Sequence, residues 1–318
     1  MKEIIINKLE ANQSAFKYVK KYLNKAPLGF IEKLFRKKDV KVNKHWVKKN
    51  FILKENDHLT IYIKDEQLNE FNNRKVNIPI SFTSNIIYED DNLLILNKRK
   101  GLLVHEDKNE KVRTLANEVI SYLTSKGEYS SLNINAFSPS PCHRLDRNTS
   151  GLIVFAKNME SLQIMEDLFK EKKELNKYYY ALVNGVVEND GIINKPLKKD
   201  SKSGLVSIAK DGKKAITEYK IKKKFKDYTL LEIHLITGRT HQIRVHMASV
   251  NHPVIGDAKY GNFAANKLFK NKYKYDSQFL HAYKLEFLRI KGRLSYLSNK
   301  SFSAPLAEKE ESILDSLK

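Results

Sequence analysis

The chain has 318 residues, 41% of them apolar, enough to bury a sizeable core without disulfides or structural metals. Lys and Arg number 58 against 37 Asp and Glu, a formal net charge of +21. That excess points to a polyanionic partner, nucleic acid before membrane, because each cation that meets a phosphate releases counterions. No run reaches the roughly 20 apolar residues of a membrane span. The stretch MKEIIINKLEANQ is too charged for a signal peptide, and the single cysteine, Cys142, allows no internal disulfide. We therefore expect a cytoplasmic protein with no membrane partner. Nine scattered His, without a second Cys or an HExxH pair, give no metal-ligand pattern.

Residues 1–70 carry 16 Lys and Arg against 9 Asp and Glu. Phe16, Val19 and Leu23 recur at i, i+3 and i+7, which predicts a helix over about 14–24. Pro27 suits the start of a second helix with Ile31, Leu34 and Phe35 on its buried side, and Arg36, Lys37 and Lys38 follow. Residues 40–42, a turn near Asn43 and Lys44, and a strand with Leu59, Ile61 and Ile63 facing inward come next. From about residue 66 to 84 the chain is polar and aperiodic, with Pro79 inside it. We place a small unit at 1–70, a linker at 71–84 and one large α+β domain at 85–318.

In the large domain, residues 86–88, a turn at Asp90, Asp91 and Asn92, and residues 93–96 predict a hairpin. Thr114 suits the N-cap of a helix carrying Leu115, Val119, Tyr122 and Leu123, with Gly127 ending it. Residues 152–155 read as a buried strand, and Asn158 as the cap of a helix with Leu162, Met165 and Phe169 inward. Strands are predicted over 178–187 and 228–236.

The segment HRLDRNTSGLIVFAKN occupies residues 143–158, and its Asp146 is the only carboxylate between Glu128 and Glu160. Arg144 and Arg147 flank it, and neighbouring cations favour an ionised, nucleophilic carboxylate. A structural Arg–Asp pair in a loop accounts for the same features. Cys142 beside His143 invites a Cys–His pair, but adjacent loop residues rarely face one another. His241 and His246, five apart, suit support of the segment between them better than one metal. Lys222, Lys223 and Lys224 read equally as a solvated strand end or a phosphate contact.

Four blocks, in order, resemble the ribosomal large-subunit family of pseudouridine synthases. They are HRLD at 143–146, KYYYALV at 177–183, TGRTHQIRVH at 237–246, and HPVIGD at 252–257 with Tyr260 and Gly261. Residues 14–65 are similar to an S4 RNA-binding domain, with Lys44 and Asn56 standing where Gly is common. Arg99 replaces a proline in the turn formed by Asn97, Lys98, Arg99, Lys100 and Gly101.

The resemblance implies an α+β pseudouridine synthase domain with a mainly antiparallel mixed sheet, plus a small α+β S4 domain. It implies isomerisation of specific uridines in RNA, most of all large-subunit (23S) ribosomal RNA, with transfer RNA the other candidate. On it, Asp146 is the catalytic aspartate, Tyr179 stacks on the target uracil and serves proton transfer, and Arg244 pairs with the carboxylate. Val245 packs beside the base, Arg144 fills the gap left by an everted nucleotide, and Arg36, Lys37 and Lys38 meet RNA. No cofactor or metal is implied, and a large substrate suits a monomer. The reaction breaks the N1–C1′ bond of uridine and joins C5 to C1′, adding nothing overall. Attack of Asp146 on C1′, its addition to C6 and a glycal route all fit. A non-catalytic RNA-binding protein and a small-molecule glycosidase are the competing classes. Intact Asp146, Tyr179 and Arg244 speak against the first, and the separate basic unit against the second.

Overall fold

Two main sheets with separate cores carry the fold, and a short two-stranded hairpin accompanies them. The computed structural model describes residues 1–72, 80–130, 137–171 and 174–317. Its first part contains β1 (Lys2–Ile5), α1 (Ala15–Tyr22), α2 (Leu28–Arg36), β2 (Val40–Val42), β3 (His45–Trp46), β4 (His58–Ile61) and α3 (Asp65–Phe71). The strands pair antiparallel in the order β1-β4-β2-β3. Ser14 caps α1 by accepting from the Lys17 amide, and Pro27 precedes α2. Tyr18, Val19, Leu23, Ile31, Leu59 and Ile61 close a core under the sheet.

Three differences from expectation have local causes. β1 was not anticipated, because its alternation, Ile4 and Ile6 buried with Ile5 exposed, hides inside a continuous apolar run. The aperiodic stretch from about residue 66 begins inside a helix, α3, which extends to Phe71, one residue past the expected unit boundary: Phe71 packs on Phe30 with ring centroids 5.0 Å apart. The rest of the expected linker lies largely outside the described residues, Pro79 included. Lys44 and Asn56, where Gly was the expected residue, nevertheless take left-handed backbone, with φ of 69° and 66°. That conformation costs a side chain about 1 kcal/mol. Asn43 supports the first turn, donating to Asp57 Oδ1 at 2.8 Å and accepting from the His58 amide at 2.9 Å.

The larger part contains β5 (Asn85–Glu89), β6 (Leu93–Lys98), α4 (Leu115–Ser125), β7 (Ser140–Pro141), β8 (Ser150–Ala156), α5 (Met159–Glu171) and β9 (Leu175–Asn184). β10 (Gly191–Asn194), β11 (Leu197–Lys199), β12 (Val206–Ile208), β13 (Ile216–Lys224) and β14 (Tyr228–Leu235) follow. Then come α6 (Gln242–Ala248), α7 (Phe263–Tyr273), β15 (Leu280–Phe287), β16 (Ser301–Ser303) and α8 (Glu308–Ser316). The main sheet runs β10-β13-β14-β9-β15-β8-β6-β5, with β7 on β8 and β16 on β15, while β11 and β12 form a separate hairpin. Every described pairing in it is antiparallel except β8 with β15. Every residue of β8 is buried, as a strand covered on both faces requires. Gly151 makes the parallel contact attainable: a Cβ there would lie 2.2 Å from the Ala282 carbonyl oxygen, and its φ is 109°. Among the described residues no helix is long and apolar enough to cross a membrane.

Candidate active site

Asp146 stands in the loop that joins β7 to β8, and the chain fixes that loop from both sides. His143 is partly buried, stacks on Phe169 of α5 at 4.1 Å, and accepts the Val154 amide at Nε2. Burial, followed by the charge of Lys177, pushes its pKa down to about 3, so the ring is neutral. The Asp146 carbonyl accepts from the Thr149 amide at 3.1 Å. Behind the loop, Lys98 at the end of β6 is fully buried. Its Nζ donates to the carbonyls of Arg99, Leu102 and Arg147 at 2.9, 2.9 and 3.0 Å. Burial draws the Lys98 pKa down to about 7 against the pull of Asp146. Three carbonyls around three N–H groups is a pattern that only the ammonium form satisfies.

The facing wall is α6. Its first residue is preceded by His241 in left-handed backbone, φ 53°. Gln242 anchors the turn, accepting from Thr237 Oγ1 and the Arg239 amide, and donating to the Ile216 carbonyl and Thr217 Oγ1. His246 is buried between Thr217 Oγ1 at 2.8 Å and the Lys195 carbonyl at 2.9 Å. Between these anchors Arg244 projects into the site. Its NH1 donates to Asp146 Oδ2 at 2.8 Å; its Nε and NH2 donate to the two oxygens of Asp257 at 2.6 and 2.7 Å.

Asp257 is fully buried and also accepts the Lys259 and Tyr260 amides. Burial disfavours its charge, but Arg244 and those amides outweigh it and hold its pKa below the ordinary carboxylate value. Arg244 is burdened by burial as well, and the two carboxylates more than offset this, raising its pKa. Tyr260 underlies the guanidinium, whose carbon lies 5.2 Å from the ring centroid, and its hydroxyl is hydrogen-bonded to His241 Nδ1 at 2.9 Å. His241 Nε2 lies 3.8 Å from Asp146 Oδ2, and burial, against the pull of Asp146, lowers its pKa. Tyr179 on β9 is buried, and its pKa is raised by burial and then by the charge of Asp146, so its hydroxyl stays protonated.

The structure thus brings Asp146 and Arg244 into direct contact, with Tyr179 in the same field. Val245, next on α6, packs in a small buried cluster with Leu197, Val206 and Ala215. Arg144 is exposed, near enough to His105 to lower that ring's pKa after burial has done so. Arg36, Lys37 and Lys38 are exposed at the end of α2, in the other unit. Cys142 is buried, and burial raises its pKa well above the ordinary thiol value, so it does not act as a thiolate. Lys224 is paired with Glu188 at 3.1 Å and Lys222 approaches Glu232 at 3.6 Å. Arg99, in place of the expected proline, donates from Nε to Thr83 Oγ1. Sequence reasoning missed the roles of Asp257, Lys98 and Tyr260. Asp257 and Tyr260 lay inside a recognised block, but nothing in the spacing joins them to Arg244. Among the described residues no group of three or more His, Cys, Asp or Glu side chains is placed to hold a metal ion.

A family model described as RNA pseudouridylate synthase matches residues 92–249, the span from β6 through α6 and the whole Asp146–Arg244 contact. A Mycoplasma capricolum protein described as an uncharacterized RNA pseudouridine synthase is 36% identical over 94% of this chain and 96% of its own length. Ribosomal large subunit pseudouridine synthase C of Buchnera aphidicola is 34% identical over 94% of this chain and 92% of its own. The solved structure of human RNA pseudouridylate synthase domain containing 4 shares the fold, with a TM-score of 0.55 and 24% identity, covering 70% of this chain and 89% of the human one. The chain belongs to the RNA pseudouridylate synthase family. It is an RNA pseudouridine synthase, an isomerase whose substrate is RNA.

Proposed function

We propose that this enzyme converts specific uridines of large-subunit ribosomal RNA to pseudouridine, with Asp146 as the reacting carboxylate, an everted nucleotide and no cofactor. The observation that carries the reading is the bridge Asp146–Arg244–Asp257: one buried guanidinium oriented by a buried carboxylate and directing its remaining nitrogen at a partly exposed one. A carboxylate beside a glycosidic carbon that gains oxocarbenium character is the arrangement such bond cleavage asks for. The names of the relatives, ribosomal large subunit pseudouridine synthases C and D, support ribosomal RNA as substrate.

The chemistry conserves atoms. The N1–C1′ bond breaks, the uracil turns, C5 bonds to C1′, the C5 proton leaves and N1 gains one. Whether Asp146 attacks C1′, adds to C6 or takes a proton from the ribose, it must be ionised, and Arg244 supplies the compensating charge without reorganising. Tyr179 offers an aromatic face to the base, and its protonated hydroxyl is a donor beside Asp146. Val245 supplies an apolar contact. Everting the nucleotide costs a few kcal/mol, which stacking and cationic contacts offset; on this reading Arg144, an exposed side chain, fills the vacated stack. The unit of residues 1–70, read as an S4 domain, meets RNA through Arg36, Lys37 and Lys38. The protein works as a cytoplasmic monomer on this reading.

The test maps pseudouridines in ribosomal and transfer RNA of cells lacking the protein, rescued with wild type or with Asp146→Asn. Sites in large-subunit RNA that vanish and return with wild type alone support the proposal. Sites restored by Asp146→Asn overturn the role of that carboxylate, and sites confined to transfer RNA overturn the substrate.

A further inference from the structure

The chain has one tryptophan, and it is not in a core. Trp46 lies on β3, a two-residue strand at the edge of the first sheet, and is 50% exposed. Lys38 Nζ sits 4.9 Å from its ring centroid. Lys38 itself has left-handed backbone, φ 63°, which ends α2 and turns the chain toward β2. Beside the indole is a shallow hollow of about 460 Å³, lined by Val42, His45, Val47, Lys48, Asn50 and Phe51 among others, none of them acidic. Phe51 is 39% exposed. Two nearby carboxylates are engaged: Asp57 accepts from Asn43 Nδ2 and the Lys54 amide, and Glu32 pairs with Lys49.

A large aromatic ring left in water beside an apolar hollow whose lining holds Lys48 and no acidic residue, with Lys38 at the ring, matches one ligand chemistry best. Flat π-faces take nucleobases irrespective of sequence, while the surrounding ammonium groups take the flanking phosphates. A duplex buries its base faces, so only an unpaired nucleotide can present one. We propose that Trp46 is a stacking platform for an unpaired nucleobase of the RNA, with Lys38 and Lys48 on the phosphates to either side. This rests on the reading that the first unit meets RNA, and it adds a contact of a different kind. Arg36, Lys37 and Lys38 as a basic helix end would hold any phosphate backbone; Trp46 would select RNA with unpaired bases.

Because Trp46 is the only tryptophan, emission excited at the red edge of the absorption band, where the 16 tyrosines do not absorb, reports on this residue alone. The probes are a single-stranded RNA of mixed sequence and the blunt duplex it forms with its complement. The single strand is expected to quench the emission and the duplex to leave it nearly unchanged. Trp46→Ala should weaken single-strand binding by about five- to a hundredfold, with Trp46→Phe recovering part of it. Trp46→Ala should leave the dependence of affinity on salt unaltered, whereas Lys38→Ala should flatten it by about 0.7 in log–log slope. An exposed edge position makes misfolding of either Trp46 variant a minor concern, and their thermal unfolding would show it. Single-strand binding without quenching, or with the affinity of Trp46→Ala unchanged, overturns the platform while leaving the basic-helix reading intact. If neutralising Arg36, Lys37 and Lys38 together also leaves affinity unchanged, both fall.

Discussion

Arg244 has five N–H donors, and three are directed at two carboxylates that no short-range pattern connects: Asp146 lies 98 positions before it and Asp257 13 after it. The two contacts have different tasks. Asp257 is buried and takes two donors, which fixes the guanidinium plane; Asp146, more exposed, takes the third and leaves its other lone pairs open to the solvent side. Removing the charge of Asp257 while keeping its shape should therefore loosen Arg244 without removing it. Asp257→Asn is expected to lower kcat about 10- to 100-fold with KM little changed, measured as pseudouridine formed at saturating RNA. A fall in kcat as deep as that of Asp146→Asn would instead make Asp257 a reacting group. Arg244→Lys should cost more than Asp257→Asn, because one ammonium cannot span both carboxylates in a plane. Asp146, Tyr179 and Arg244 were legible in the sequence because each stands in a distinctive block. The bridging role of Asp257 was not, since it depends on Gly256, whose φ of 76° and close approach to the Ser277 carbonyl turn the carboxylate inward. Lys98 was hidden for another reason: a lysine at a strand end reads as solvated until three carbonyls are found around it.

At the scale of elements, the caps and buried runs were readable and the short strands were not. Thr114 and Asn158 accept the amides of Asn117 and Ser161 as their positions imply, and β8, with its apolar run Leu152–Ala156, lies in the sheet interior. β11 and β12, three residues each, carry too few alternations to register, and α6 follows a left-handed His241 that no sequence signal singles out. Two contacts between elements are testable. His143 joins the Asp146 loop to β8 and α5 as a neutral ring with its pKa near 3, below its ordinary 6.5. Between those values the unfolded chain binds a proton that the folded chain does not. The stability this group contributes is thus complete above about pH 6.5 and lost progressively as pH falls toward 3. Urea unfolding of wild type should weaken more steeply over that window than unfolding of His143→Gln; parallel curves would mean that the ring accepts a proton in place. Gly151→Ala would drive a Cβ into the Ala282 backbone where β8 meets β15. A loss above about 3 kcal/mol is expected in the same assay, because both partners are backbone and neither can yield.

For the whole molecule, the excess of positive charge is divided between two units with their own cores. Residues 1–70 hold 16 of the 58 Lys and Arg, yet the Asp146–Arg244–Asp257 bridge lies wholly in the other unit. If the first unit supplies RNA affinity and the second the reaction, neutralising Arg36, Lys37 and Lys38 should act only before the RNA is seated. The triple alanine variant is expected to raise KM and to flatten the dependence of log affinity on log salt by about two to three, close to one for each phosphate no longer neutralised. Its kcat at saturating RNA should stay within about twofold of wild type, since nothing made only in the transition state has been removed. Asp146→Asn should behave in the opposite manner, with the salt slope kept and turnover abolished. A triple variant whose kcat fell while its slope held would mean that the basic helix end positions the uridine rather than gathering the RNA. The two units would then have to be regarded as one active surface.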